Sequence, residues 1–330
     1  MSARFRLVGG LVDRTHPLKF RFDGKSYTGF KGDTLASALM ANGVKVIGRS
    51  FKYHRPRGIF SSGSEEPNAL IELQKNENNE PNCRATDIEL FDGLTAQSQN
   101  RWPSLKFDLQ AINDYFAPFL TAGFYYKTFM WPRGFWEKIY EPLIRRSAGL
   151  GYLSGKTDPD SYDRGYRHCD ILIIGAGPAG LMAALSAGRS GAKVIIADED
   201  FRMGGRLLAE SYAIDDITGS AWVDIVLEEL TSLSNVVLMP RTTVFGAFDH
   251  KQYSALERLS EDIDVGIPRQ ILWQITARRT ILASGAIERG IAFGNNDRPG
   301  VMLAGAMRSY VNRFAACPGQ SIAVFTAHDD

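Results

Sequence analysis

Cysteine is scarce in this chain of 330 residues, which contains only Cys83, Cys169 and Cys317. The three lie far apart, so they form neither a disulfide framework nor a metal cluster of known spacing. Long apolar runs are missing too. No stretch approaches the ~20 residues that span a bilayer, and the N-terminus leads into no apolar signal segment. These absences predict a protein without a membrane segment, working in a reducing cytoplasm.

Acidic residues are scarce in the first 64 positions, although the formal net charge of the chain is only +1. Residues 1–64 hold twelve Lys or Arg and three Asp, a balance of +9, which leaves −8 for the rest. Such a basic lobe indicates a phosphorylated cofactor, a charged protein surface or a solvated face. Residues 49–57 interleave basic side chains with Phe51 and Tyr53 without any nucleic-acid-binding signature, so we expect a contact between subunits and no nucleic acid.

The first hundred residues have the pattern of a small α+β module. Alternation over 18–30, interrupted by Asp23-Gly24, predicts a β-hairpin. Asp33 is expected to cap a helix. The helix is predicted over 34–42, the further strands at 44–47, 69–73 and 87–91, and a polar loop at 76–81. Together these elements predict a ferredoxin-like β-grasp fold for residues 1–100.

Residues 101–167 are rich in aromatic side chains, and Pro103, Pro118, Pro132 and Pro142 divide them into short predicted helices. So many aromatic residues are unusual in a free linker, so we expect this helical insert to pack between domains or against another chain. A polar, turn-rich stretch at 158–167 is the predicted boundary before the next domain.

From residue 168 the pattern becomes that of an α/β domain. The predicted elements are strands at 170–174, 193–197 and 236–238, helices at 178–189 and 220–233, and two runs at 271–276 and 279–284 that can form part of an antiparallel crossover. This order predicts an FAD/NAD(P)-binding Rossmann-like domain over residues 168–330, incomplete at its C-terminus.

The six residues from Gly175 to Gly180 match G-x-G-x-x-G between the first strand and the first helix of this domain. Gly175 permits a tight turn, Gly177 lets the backbone approach a diphosphate, and Gly180 lets the helix pack closely on the strand. Pro178 and Ala179 begin the helix, whose N–H groups and positive dipole end favour phosphate oxygens. The motif predicts an adenine dinucleotide site.

Acidic residues follow the second strand of the domain. Asp198 comes 18 residues after Gly180, and Glu199 is next to it. At this distance a carboxylate accepts hydrogen bonds from the ribose hydroxyls. Because such a carboxylate repels a 2′-phosphate, NAD or FAD is expected rather than NADP.

Two further segments narrow the class. Gly205 and Arg206 follow the acidic residues, and an apolar strand ends at Ser284 and Gly285, where small residues let the chain pass close to a dinucleotide. With the glycine motif, they resemble the first nucleotide-binding domain of flavoproteins related to the disulfide reductases. Residues 319–330 begin another apolar strand, where that superfamily starts its second lobe, so we expect a fragment of a longer protein.

Three more segments point to a particular family: 51–58 (Phe-Lys-Tyr-His-Arg-Pro-Arg-Gly), 65–70 (Glu-Glu-Pro-Asn-Ala-Leu) and 295–302 (Asn-Asn-Asp-Arg-Pro-Gly-Val-Met). In this order they resemble the alpha subunits of heterotetrameric sarcosine oxidases, along the whole sequence. The resemblance implies a subunit of an enzyme that oxidises sarcosine to glycine with oxygen. Such an enzyme forms peroxide and passes the one-carbon unit to tetrahydrofolate as 5,10-methylenetetrahydrofolate.

The same resemblance implies the cofactors and the partners. FAD would belong to the beta subunit, FMN would lie at the alpha–beta interface, and tetrahydrofolate would bind a C-terminal region outside this sequence. The gamma and delta subunits would complete the heterotetramer. This chain would bind NAD in a structural role and would supply no catalytic residue and no metal ligand.

Carried over by position, the resemblance places Ala179, Asp198 and Glu199 against NAD and Val244 near its adenine. Arg206 stands where the family has a small hydroxyl residue, which is a departure from the family pattern.

The N-terminal module resembles the [2Fe–2S] ferredoxin-like domains of related oxidoreductases, which need four cysteine thiolates. The corresponding loop at 59–64 has no cysteine, and Cys83 alone cannot hold a cluster. The sequence therefore predicts a scaffold without iron, which argues against a cyanide synthase or an opine oxidase.

Two other functions stay open. A FAD-dependent, NAD-linked reductase, or a subunit of an amine or opine dehydrogenase, would place FAD in the Gly175–Gly180 motif. The reductase also needs a redox dithiol, and the sequence has no Cys-x-x-Cys. The other alternative is a non-catalytic nucleotide-binding assembly module. No G-x-S-x-G motif supports a hydrolase.

Overall fold

The computed structural model describes residues 4–75, 78–121, 123–124, 129, 131–149, 151–259 and 267–327. Its strands are β1 (Asp13–Phe22), β2 (Lys25–Lys31), β3 (Gly48–Arg49), β4 (Pro56–Arg57), β5 (Leu70–Lys75), β6 (Asn78–Arg84), β7 (Thr95–Ser98), β8 (Tyr162–Ile174), β9 (Val194–Ala197), β10 (Ala213–Ile214), β11 (Ile217–Thr218), β12 (Val236–Met239), β13 (Thr242–Phe248), β14 (Gln252–Arg258) and β15 (Gln270–Leu282). Its α-helices are α1 (Leu35–Ala41), α2 (Glu141–Ser147), α3 (Pro178–Arg189), α4 (Gly219–Ser232) and α5 (Ala304–Arg308). Short 3-10 or π turns lie at Leu109–Asp114, Trp136–Tyr140, Gly205–Leu208, Asp249–Lys251 and Ser309–Arg313.

The first module is a five-stranded sheet in the order β2-β1-β7-β5-β6. The predicted hairpin is confirmed: β1 and β2 are antiparallel, and Asp23 and Gly24 both take positive φ at the turn. The predicted helix is also present as α1, but Asp33 is not its cap. Thr34 is the N-cap, because its side chain accepts the Ser37 N–H. The Asp33 carboxylate is buried and accepts hydrogen bonds from Arg6 and Ser37 instead.

Other expectations for the first module were wrong. Residues 44–47 form no strand, and the two-residue β3 follows them. Residues 87–91 contribute only a single bridge, between Glu89 and Thr34. Most of the predicted polar loop at 76–81 belongs to β6, while residues 76 and 77 lie outside the described residues. Among the described strands β6 pairs only with β5, and such an edge position tolerates Pro81 and polar side chains.

Among its described residues, the aromatic segment at 101–167 contains the seven-residue helix α2, two short 3-10 or π turns and, from Tyr162, the beginning of β8. Many of its large side chains are exposed: Trp102, Phe107, Tyr115, Phe116, Phe119, Trp131 and Phe135. These side chains are therefore not packed between the two modules. Contact with another chain stays a prediction.

The second module is a six-stranded sheet in the order β12-β9-β8-β15-β14-β13. The first four strands are parallel, which is the strand order of a doubly wound dinucleotide-binding sheet, and β14 and β13 extend it in antiparallel fashion. Two predicted details change. β8 begins at Tyr162, inside the stretch expected to be a turn-rich boundary, and the two runs at 271–276 and 279–284 are one continuous strand, β15.

The two modules share apolar interior. Leu303, Tyr310 and Phe314 belong to the same buried cluster as Phe20 and Leu39 of the first module. After this segment, the strand expected from residue 319 is not formed within 319–327, where Ile322, Val324 and Phe325 are exposed. A parallel strand needs hydrogen-bonding neighbours, and no described strand lies beside this stretch.

Candidate dinucleotide site

The glycine loop joins the carboxyl end of β8 to α3. Gly175 has φ of +100°, and a Cβ there would lie 2.4 Å from the Ala283 carbonyl oxygen. A Cβ on Gly180 would lie 1.9 Å from the Gly175 carbonyl oxygen. Neither position therefore accepts a side chain. Gly177, in contrast, faces open space, so a ligand can approach its backbone closely.

Two other segments meet this loop. The Gly204 N–H donates to the Ala176 carbonyl at 2.9 Å, and a Cβ on Gly205 would lie 2.9 Å from the Gly177 Cα. On the other side, the Cα of Ser284 would lie 3.0 Å from a Cβ on Gly175. The structure thus brings together three segments singled out in the sequence, and we call their meeting point the glycine cradle.

The cradle opens at the start of α3. Gly177 is the N-cap in an extended conformation, Pro178 occupies the first turn, and no side chain among the described residues caps the helix. Ala179 is exposed. Free N–H groups and the positive end of a twelve-residue helix favour an anion at this point.

The side chain of Asp198 holds the glycine loop through a backbone hydrogen bond. Its Oδ2 accepts the Ala176 N–H at 2.5 Å, and its Oδ1 accepts the Asp200 N–H at 2.9 Å. Burial raises the pKa of this carboxyl, and the two backbone N–H donors oppose that shift. Each carboxylate oxygen keeps a second lone pair, so Asp198 can still accept a hydrogen bond from a ligand hydroxyl.

Glu199 is the exposed member of the acidic pair. Its Oε1 accepts a hydrogen bond at 2.6 Å from the Ser64 hydroxyl of the first module. The next residue, Asp200, is held by both Nη atoms of Arg313. The carboxyl end of β9 is therefore attached to the first module on one side and to the segment after α5 on the other.

The remaining predicted residues have other surroundings. Arg206 donates from Nε to Glu210 at 2.7 Å, and this hydrogen bond raises its pKa. Val244 lies in β13 opposite Ala255 and packs against the core of the second sheet. Gly285 is exposed with φ of +71°. The side chains of Arg206 and Val244 thus make these contacts outside the glycine cradle.

Sequence reasoning missed a cavity of about 330 Å³ beside Glu199, between the modules. Its lining includes Ser64, Arg84, Asp87 and Arg258. Burial raises the pKa of Asp87 to about 6, although Arg258 and Arg84 oppose the shift. No local signal could have identified Asp87, because the residues around it come from distant parts of the sequence.

Neither metal-ligand sets nor membrane helices stand out in the described ranges. Among these residues, no group of three His, Cys, Asp or Glu side chains is arranged to hold a metal ion. Within the same ranges, every helix is too short or too polar to cross a bilayer.

The parallel sheet, the glycine cradle and the acidic end of β9 define a dinucleotide-binding oxidoreductase domain. Residues 170–250 match the family model described as FAD dependent oxidoreductase. Residues 15–101 match the model described as 2Fe-2S iron-sulfur cluster binding domain. These matches confirm the predicted order of a ferredoxin-like module followed by a Rossmann-like domain.

Curated relatives are more specific. The chain is 54% identical over 323 residues to the alpha subunit of sarcosine oxidase from Rhizobium meliloti, covering 97% of this chain and 33% of that protein. It is 38% identical to the corresponding subunit from Corynebacterium sp. strain U-96, covering 98% and 29%. The chain belongs to the sarcosine oxidase alpha-subunit family, and it spans about a third of the length of these relatives.

A more distant relative and a solved structure complete the comparison. One subunit of the opine oxidase of Agrobacterium tumefaciens is 32% identical over 45% of this chain and 30% of that protein. The crystal structure of L-proline dehydrogenase from P. horikoshii superposes with a TM-score of 0.62 at 20% identity, covering 96% of this chain and 50% of that one. The latter likeness supports the fold alone.

The residues present do not fit an iron–sulfur cluster. A [2Fe–2S] cluster is held by four ligands, usually thiolates. The range 15–101 contains a single cysteine, Cys83, whose Sγ faces the Glu80 carbonyl at 3.5 Å. The cradle, in contrast, fits the diphosphate of an adenine dinucleotide, because its backbone is open at Gly177 and closed at Gly175 and Gly180.

Proposed function

We propose that this chain is the NAD-binding part of the alpha subunit of a heterotetrameric sarcosine oxidase. The 54% identity along nearly the whole chain supports the assignment to this enzyme. The complete enzyme would oxidise sarcosine to glycine with oxygen as acceptor, and the one-carbon unit would leave as 5,10-methylenetetrahydrofolate. Within it, this chain would bind a nucleotide and would supply no acid, base or nucleophile.

The observation that carries the proposal is the shape of the glycine cradle. Its walls exclude a side chain at Gly175, Gly180 and Gly205, while Gly177 alone faces open space at the start of α3. A diphosphate placed there would accept hydrogen bonds from the N–H groups of the first helical turn. An open backbone next to free N–H groups suits a bound phosphate. A loop that only connects a strand to a helix would not require it.

We propose the following residues as those that would hold NAD. Pro178 and Ala179 begin the helix that faces the diphosphate, and Asp198 and Glu199 lie at the strand end that receives the ribose. Val244 would lie toward the adenine. Ser284 and Gly285 would pass close to the cofactor along the cradle. NAD in this position would brace the fold.

We further propose which cofactors and partner subunits accompany this chain. FAD would be carried by the beta subunit, FMN by the alpha–beta interface, and tetrahydrofolate by a part of the alpha subunit outside this sequence. The gamma and delta subunits would complete the complex in the cytoplasm. The exposed aromatic residues between 102 and 135 are the surface that we assign to contact with another chain.

A second candidate is FAD in the same cradle, as in an amine or opine dehydrogenase. The match of residues 170–250 to the FAD dependent oxidoreductase model favours it, as does the opine oxidase relative. A dithiol reductase is less suited, because the three cysteines are far apart in the sequence.

The test blocks the glycine cradle with a methyl group and measures the amounts of bound NAD and FAD. In the purified complex, Gly177→Ala places a methyl group where the diphosphate would lie, while its φ of −71° suits alanine. Gly294→Ala is the control, because Gly294 also faces open space but lies elsewhere. NAD and FAD are released by acid and quantified per complex.

Loss of NAD with retained FAD in the Gly177 variant supports the proposal. Loss of FAD with retained NAD favours the second candidate. Retention of both rejects the cradle as a nucleotide site. Purified complex that makes no peroxide from sarcosine would reject the sarcosine oxidase assignment and favour a nucleotide-binding assembly module.

A further inference from the structure

The loop between β4 and β5 encloses a buried acid. Glu66 is 1% exposed, and its carboxylate accepts four backbone hydrogen bonds. Its Oε2 accepts the N–H groups of Phe60 at 2.8 Å and Ser61 at 2.6 Å. Its Oε1 accepts those of Asn68 at 2.7 Å and Ala69 at 3.0 Å. The backbone on both sides of the turn thus points at one side chain.

The positions around Glu66 have the spacing of cluster ligands. Plant-type [2Fe–2S] clusters use C-x₄-C-x₂-C, and in this loop the same spacing falls on Ser61, Glu66 and Ala69. Ser61 and Ala69 are fully buried as well. From another part of the module, buried Thr86 donates through Oγ1 to the Gly63 carbonyl at 2.8 Å, which closes the loop. The loop thus has the ligand spacing of a cluster, and a buried carboxylate occupies the middle position.

A carboxylate can do what the sulfurs of a cluster do for the surrounding backbone. Cluster sulfurs accept hydrogen bonds, and an ionised carboxylate is a pure acceptor with room for four donors. Without an acceptor, four buried or half-buried N–H groups would each lose a hydrogen bond. We propose that the Glu66 carboxylate replaces the iron–sulfur cluster in this module, as the acceptor around which the loop at 60–69 folds.

The loop held in this way supports the second module. The hydroxyl of buried Tyr310 donates to the Ser61 carbonyl at 2.9 Å, and the Leu303 N–H donates to the Phe60 carbonyl at 2.9 Å. At the loop tip, Ser64 donates to Glu199 beside the glycine cradle. Glu66 therefore preserves the shape of a redox module as a docking surface without an electron-transfer centre.

The test compares two neighbouring glutamates in the complete native protein. Glu66→Gln keeps the shape of the side chain but turns an NH₂ group toward two N–H donors. Glu65→Gln makes the same change at an exposed position. We expect the melting temperature to fall by about 5–10 °C for Glu66→Gln and by less than about 2 °C for Glu65→Gln.

A second measurement needs no variant. The native protein is incubated anaerobically with iron and sulfide, desalted, and analysed for both elements and for visible absorption. We expect no stoichiometric uptake. Equal melting temperatures for the two variants, or uptake of a cluster by the native protein, would overturn the proposal. A Glu66→Gln chain that fails to fold beside a folded Glu65→Gln chain counts with the expected result.

Discussion

His54 and Asp108 meet in the protein interior, where the imidazole Nδ1 lies 2.7 Å from the carboxylate Oδ2 and both side chains are fully buried. Asp108 Oδ1 also accepts the N–H groups of Trp102 and Gln110. The pair therefore anchors the beginning of the aromatic segment to the first module. In the sequence, His54 lies in a basic and aromatic stretch, and the structure gives this residue a structural role.

Replacing Asp108 with Ala should destabilise the fold by about 3–5 kcal/mol, because it leaves a buried imidazole and two backbone N–H groups without their acceptor. Asp114→Ala is the matched control, since Asp114 is an exposed aspartate a few residues away. The measurement is urea unfolding of both variants. Equal midpoints would show that the buried pair is not an anchor.

The two acidic residues at the end of β9 should respond differently to amide substitution. Asp198→Asn should lower both the stability and NAD retention by about 1–3 kcal/mol, because one of the two backbone donors then faces an NH₂ group. Glu199→Gln should keep the melting temperature and weaken NAD retention about fivefold to tenfold, because a neutral acceptor replaces a charged one.

Nucleotide release and thermal unfolding of the two variants separate these effects. A Glu199→Gln protein with unchanged NAD content would remove this residue from the ribose site. Unchanged stability of Asp198→Asn would remove the proposed support of the glycine loop.

Asp87 should make stability depend on pH. Burial raises its pKa from 3.8 to about 6, so the folded chain holds this proton more tightly than the unfolded chain. The associated stability is fully present below about pH 4 and is lost as the pH rises through 6. Asp87→Asn does not titrate, so its stability relative to the native protein should rise by up to about 3 kcal/mol between pH 4 and pH 7. Urea unfolding across this range measures the difference, and a flat or falling profile contradicts the prediction.

The ion pair between Arg313 and Asp200 should contribute more than a comparable pair at the surface. Asp200→Ala removes both hydrogen bonds from Arg313, in a pair that is 11% and 29% exposed, and a third from the Arg202 N–H, so we expect a loss of about 1–2 kcal/mol. Asp224→Ala breaks the pair with Arg202, in which Asp224 is 61% exposed, and should change the stability by less than about 0.5 kcal/mol. Equal effects in thermal unfolding would argue against the first pair as a link between the end of β9 and the segment after α5.

Local chemistry explains which elements can be predicted. The helix predicted at 178–189 has its observed bounds, because Pro178 favours the first turn and Gly191, with φ of +85°, suits the position after the end. The helix at 219–232 follows from its apolar face, of which Val223, Val226 and Leu230 are buried. Both signals lie within the elements themselves.

Tertiary partners explain what cannot be predicted. Asp33 is a residue type that often caps helices, but its buried carboxylate is paired with Arg6, and Thr34 caps the helix instead. The polar sequence of β6 does not indicate a strand, because pairing with β5 stabilises this strand and burial of its side chains does not. In the site, the glycine motif and Asp198 are visible as local patterns. The enclosure of Glu66 and the cavity around Asp87 depend on residues far apart in the chain, so no local pattern indicates them.

The segment from 303 to 316 has a further consequence, for any attempt to divide the protein. Tyr310 and Phe314 complete the interior of the first module, and Arg6 donates hydrogen bonds to both Asp33 and the Phe314 carbonyl. The segment at 303–316 thus packs against the first module, although the aromatic segment separates the two in the sequence. A protease cut within the aromatic segment should yield two fragments that stay associated and elute together. A recombinant first module, in contrast, would lack part of its hydrophobic core.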